Sequence, residues 1–99
     1  MTFDDHVRNA LDALPPDLRT GLQNVAVVVE DEHPDDPDLL GLFEEEPYLP
    51  AKVTIYRLRL EESFRDPAEL EREIRITVLH ELAHYFGIEE DRLDELGYG

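Results

Sequence analysis

Two histidines four residues apart, with a glutamate directly after the first, stand near the C-terminus as His80-Glu81-Leu82-Ala83-His84. On a helix, residues i and i+4 project from one side about one turn apart, so both imidazoles can approach a single metal ion while the glutamate holds a water beside it. This is the zinc-hydrolase pattern HExxH, and a catalytic zinc takes three protein ligands and leaves a fourth position for water. Gly87 offers a left-handed stop just beyond, and a carboxylate three residues further on, Glu90, can approach the metal from the side the helix leaves open. Asp91 replaces it if the turn is one residue longer, with Asp94 and Glu95 as more distant candidates. The same acids also suit the first turn of a last helix, where negative charge complements the helix dipole.

The pattern needs a helix to display it, and the flanking sequence marks one over residues 66 to 87. Asp66 is a natural N-cap, Pro67 suits the first helical position, and Glu69 completes a capping box with Asp66. At roughly 100° per residue, Ile74, Ile76, Val78, Leu79, Leu82, Ala83 and Phe86 fill a wide apolar arc. Glu69, Glu73, Thr77, His80, Glu81 and His84 occupy the narrow remainder. A helix so widely apolar is expected to be mostly buried, with its polar sector facing a cleft.

Residues His80 to Gly97, HELAHYFGIEEDRLDELG, resemble the small bacterial zincin-like metallopeptidases with a minimal metalloprotease fold, whose pattern is HExxHxxGxxD. Leu39-Leu40-Gly41-Leu42-Phe43-Glu44 and Val53-Thr54-Ile55-Tyr56-Arg57 resemble two upstream segments of that family, so the similarity spans most of residues 25 to 97. The resemblance implies His80, His84 and Glu90 as zinc ligands and Glu81 as general base. The chain departs from the pattern at two places: position 90 is Glu where Asp is usual, and Glu45 and Glu46 stand where a glycine usually follows.

A chain of 99 residues is expected to form one domain, residues 1–99, with a modest core. The absence of cysteine removes disulfides and thiolate ligands and fits a reducing compartment. Met1 to His6 lacks the basic head and apolar run of a signal peptide, and no apolar stretch approaches membrane-spanning length, so the expected location is the cytoplasm. The formal charge of -16 repels phosphate backbones and anionic lipid and attracts cations and basic peptides. Neither nucleic acid nor membrane is an expected partner. The same charge also serves solubility alone.

Along the chain, Thr2 and Asp5 mark the start of a helix whose apolar positions are Phe3, Val7, Ala10, Leu11 and Leu14. Pro15-Pro16 ends it, and a short helical turn over residues 17 to 22 completes an N-terminal hairpin expected to cover the sheet. His6 falls on the polar side of the first helix and is expected at the surface. The β-branched run Val25 to Val29 reads as a central strand buried on both faces. Residues 30 to 38 form a proline-broken acidic loop, dense enough in oxygen ligands to raise the question of a cation such as calcium, with a spacing that matches no calcium loop. Leu39 to Phe43 reads either as a packing loop or as a strand near the sheet edge, where an extended substrate can add as a further strand; in the second case Leu42 to Glu46 would line the cleft. Lys52 to Glu61 alternates imperfectly, Val53 and Ile55 on one face and Leu58 and Leu60 on the other, as a strand with a twist or bulge or one whose burial changes sides. Leu93 and Leu96 are expected to pack a short final helix.

Together these readings predict an α+β domain, a minimal zincin-like unit in which a small mixed sheet packs against the long HExxH helix, with an N-terminal helix and a short C-terminal helix. The expected activity is zinc-dependent hydrolysis of peptide bonds in a peptide or protein substrate, with Glu81 taking the proton of the attacking water. Tyr85, Tyr56 and Tyr98 are the candidate oxyanion donors. The competing reading is a zincin-fold interaction domain that keeps zinc for folding, turns over little, and binds a basic protein partner. A third is an acidic protein that mimics nucleic acid or sequesters a basic partner. A metal-dependent RNA hydrolase is disfavoured by the charge and by the glutamate inside the motif.

Overall fold

The computed structural model describes residues 1–86 together with Asp91 and Glu95, with the backbone alone for His84, Tyr85 and Phe86. The elements run α1 (Phe3–Asp12), α2 (Pro16–Gly21), a 3-10 turn (Leu22–Asn24), β1 (Val25–Glu30), β2 (Gly41–Glu44), β3 (Ala51–Tyr56), α3 (Arg57–Ser63) and α4 (Pro67–Phe86). Helices and a three-stranded mixed sheet make the predicted α+β class. Residues 92–94, and with them Leu93, lie outside the described residues, as does Leu96; Asp91 and Glu95 are helical and exposed.

Helix α1 starts where the sequence marks it. The Thr2 side chain accepts from the Asp5 N–H at 3.2 Å and the Asp5 carboxylate accepts from the Thr2 N–H at 2.9 Å, a reciprocal cap. Phe3, Val7 and Ala10 are buried on one side of α1 and join the core formed with Val53, Ile55, Leu60, Ile74, Val78 and Leu82. The helix packs against α4. His6 is a correction to the surface expectation: it is 8% exposed, and its Nδ1 lies 2.7 Å from Glu71 Oε1, which also accepts from Asn9 Nδ2 at 3.1 Å. Its position on the polar side of α1 turns inward because α4 offers a polar partner there.

The sheet order is β1-β3-β2, with β1 parallel and β2 antiparallel to β3. The run Val25 to Val29 is therefore an edge strand among the described residues, not the central one, and only Val25 in it is buried. The centre belongs to β3, where five of six residues are buried, Lys52 being the exception. A β-branched run records affinity for a pleated surface, and position in the sheet is settled by what the other strands pair with.

The imperfect alternation after Lys52 is a change of element rather than a bulge. Strand β3 stops at Tyr56 and α3 begins at Arg57, so Leu60 is fully buried while Leu58 is 36% exposed. Two positions that would share one face of a strand are separated by about 200° on a helix. The turn into α3 is fastened to the acidic loop: Arg57 Nη2 meets Asp31 Oδ1 at 2.8 Å, Leu58 N donates to Asp31 O at 3.0 Å, and the His33 ring meets Tyr56 edge-on at 5.8 Å. Asp31 is thus committed to an arginine, and among the described residues no group of three or more His, Asp or Glu could hold a cation in this loop or elsewhere.

Candidate metallopeptidase site

Helix α4 carries the motif. Asp66 caps it, accepting from the Glu69 N–H at 3.0 Å with its side chain and from the Leu70 N–H at 2.8 Å with its carbonyl. Ile74, Val78, Leu79, Leu82 and Ala83 are buried as the apolar arc requires, and Ile76 is half-buried. Glu69 and His80 are exposed and Glu73 and Glu81 half-buried, so among the described residues the polar sector holds with one exception. Thr77 is 7% exposed, and the reason lies across the interface in β2.

At Gly41 the helix and the strand nearly touch. A Cβ there would stand 2.6 Å from Thr77 Cγ2, 3.2 Å from the Thr54 carbonyl oxygen and 3.5 Å from Glu81 Cγ. Only glycine allows α4 to lie this close to β2, and that proximity buries Thr77 and brings Glu81 to the strand. An isolated glycine inside the apolar segment Leu39 to Phe43 carries this signal, which points to a close backbone approach.

The pairing of β2 with β3 fixes which way its peptide groups point. Tyr56 N donates to Leu40 O at 3.0 Å, and the register continues as Gly41 with Ile55, Leu42 with Thr54 and Phe43 with Val53. In an antiparallel ladder hydrogen-bonded pairs alternate with pairs whose N–H and C=O point away, so Leu40 and Leu42 face β3 while Gly41 and Phe43 direct their peptide groups to the outer side. On that side the Phe43 N–H donates to Glu81 Oε2 at 3.0 Å. The expected edge strand and the expected catalytic glutamate are in contact. A family model described as zincin-like metallopeptidase matches residues 22–99.

The chain belongs to the zincin-like metallopeptidase family. A search of curated proteins gives no match.

In this zincin-like chain His80 and His84 both lie on the continuous helix α4, four residues apart, and His80 is exposed. The side chain of His84 and the whole of Glu90, Asp94, Gly87 and Tyr98 lie outside the described residues, as does the Tyr85 side chain. The donor chemistry fits zinc: two imidazoles at helical spacing, carboxylates following, and no thiolate. Tyr56 is 2% exposed. Burial, followed by the negative charges of Glu30, Glu44 and Glu81, holds its phenol above the ordinary range, so it keeps its proton. Strand alternation puts Tyr56 on the face opposite Ile55 and Gly41, with its ring edge-on to His33 at 5.8 Å.

Beyond β2 the chain turns through Glu46 to Leu49, where Leu49 N donates to Glu46 O at 3.3 Å. Tyr48 at its tip is 98% exposed, and Lys52 reaches back across the ladder to Glu44 at 3.6 Å. Among the described residues no helix is long and apolar enough to cross a membrane.

Proposed function

We propose that the protein is a zinc-dependent peptidase in which His80, His84 and Glu90 hold the metal and Glu81 is the general base. The single observation that carries this reading is the meeting of Glu81 with the outer peptide group of β2, because hydrolysis needs the base beside the track along which a peptide backbone lies. Zinc bound there would supply Lewis acidity at the scissile carbonyl and lower the pKa of a water. Glu81 accepts the proton of the attacking water and returns it to the leaving amine, which requires its carboxylate to sit within hydrogen-bond reach of both. Gly41 sets the spacing between helix and strand that makes this reach available.

A substrate adds to β2 as an extended strand, using the peptide groups of Gly41 and Phe43 that point away from β3. Backbone pairing gives grip without sequence selection, and the charge of -16 favours basic over acidic peptides. The test is cleavage of a mixed peptide library by the zinc-loaded chain. Zinc-dependent cleavage supports the reading. Stoichiometric zinc without cleavage favours a zinc-stabilised interaction domain that binds a basic partner.

A further inference from the structure

Glu81 and a substrate strand need the same backbone donor. The Phe43 N–H points to the outer side of β2, where an added strand would place a carbonyl oxygen, and it donates instead to Glu81 Oε2 at 3.0 Å. Glu81 is held there from behind: its Cγ lies 3.5 Å from the Cβ position of Gly41, so the side chain passes beside the strand before its carboxylate reaches the peptide group two residues on. A carboxylate accepting a backbone N–H makes a strong, charge-assisted bond, and an incoming peptide must replace it.

We infer that Glu81 is a built-in competitor for the substrate track, and that a peptide pairing with Phe43 displaces the carboxylate and frees that oxygen for proton transfer. This rests on the peptidase reading and adds regulation to it. Between substrates the base is stored on β2 through that N–H. Correct backbone pairing then becomes the event that mobilises the base, so a ligand that reaches the metal without engaging Phe43 leaves Glu81 where it is.

The two simplest replacements of Glu81 separate storage from chemistry. Glu81→Gln removes the base but keeps an amide oxygen able to accept from Phe43; Glu81→Ala removes both. With neither able to cleave, peptide binding can be read directly. The probe is a capped hexapeptide of alternating lysine and valine, titrated into each zinc-loaded variant and followed by the amide resonances of the protein. In the absence of peptide, the Phe43 amide is expected to stay hydrogen-bonded and protected from exchange in wild type and, more weakly, in Glu81→Gln, and to move further and exchange faster in Glu81→Ala. Peptide should then bind Glu81→Ala several-fold to about tenfold more tightly than Glu81→Gln, the worth of one competing hydrogen bond. An unmoved Phe43 amide in Glu81→Ala, or equal affinities with peptide still perturbing Phe43, overturns the competition while leaving edge-strand binding intact. Peptide shifts confined to residues away from β2 overturn the substrate track together with the competition.

Discussion

The Phe43 N–H and the Glu81 carboxylate, 38 residues apart in sequence, meet at 3.0 Å on the outer side of strand β2. That contact exists because Gly41, two residues earlier in the strand, has no Cβ to hold α4 away.

Gly41→Ala should therefore act on both stability and site. A Cβ 2.6 Å from Thr77 Cγ2 and 3.2 Å from the Thr54 carbonyl overpacks the interface, with an expected loss of about 1–3 kcal/mol in urea unfolding. Adding Thr77→Ser removes the nearer methyl and should recover part of that loss. A coupling of at least about 0.5 kcal/mol between the two is expected; strict additivity would show that the two residues do not meet.

Glu71 gives the fold a pH dependence of definite sign. The hydrogen bond from His6, and then that from Asn9, holds its carboxyl below the ordinary value of 4.5. A folded-state pKa below the unfolded one contributes stability that is present above about pH 4.5 and is lost as the pH falls through the lower, folded value. Urea midpoints of wild type and Glu71→Gln should differ at neutral pH, wild type being the more stable, and converge in acid. A gap that widened in acid would reverse the assignment.

Leu58 and Leu60 distinguish helix from strand after Tyr56. Leu60→Ala empties a fully buried site and is expected to cost about 2–5 kcal/mol. Leu58→Ala alters a side chain already 36% exposed and should stay within about 1 kcal/mol. Equal costs would favour one continuous strand.

Zinc should stabilise the chain by mass action. At a free zinc concentration of 100 times Kd, a ligand bound only by the folded state adds about 2.7 kcal/mol. His80→Ala and His84→Ala should each abolish the zinc-induced rise in Tm. Glu90→Ala should do so as well while Asp91→Ala leaves it; the opposite pair of results would move the third ligand to Asp91.

How much of this the sequence carried depends on the range of the interactions. The caps at Thr2 and Asp66, the apolar arc of α4 and the strand at β2 are local patterns, and among the described residues each appears where residue type and spacing put it, β2 at the edge of the sheet. The order of the strands is not local. Val25 to Val29 has the composition of a central strand yet pairs on one side only among the described residues, because β3 lies between it and β2. His6 reads as a surface residue from its own helix, and Glu71, 65 positions later, draws it inside. For the site, the motif names Glu81 and the lone glycine hints at a close approach, but which peptide group the carboxylate would meet follows from the β2–β3 register.

The most direct measurement compares cleavage of a mixed peptide library by the zinc-loaded wild type with cleavage by zinc-loaded Glu81→Gln, at equal metal content and with unfolding midpoints recorded for both. Zinc-dependent cleavage by wild type, falling by at least about 10²-fold in Glu81→Gln, is the expected result for a general base. Equal rates from the two proteins would contradict the assignment of Glu81 and remove the basis for a peptidase.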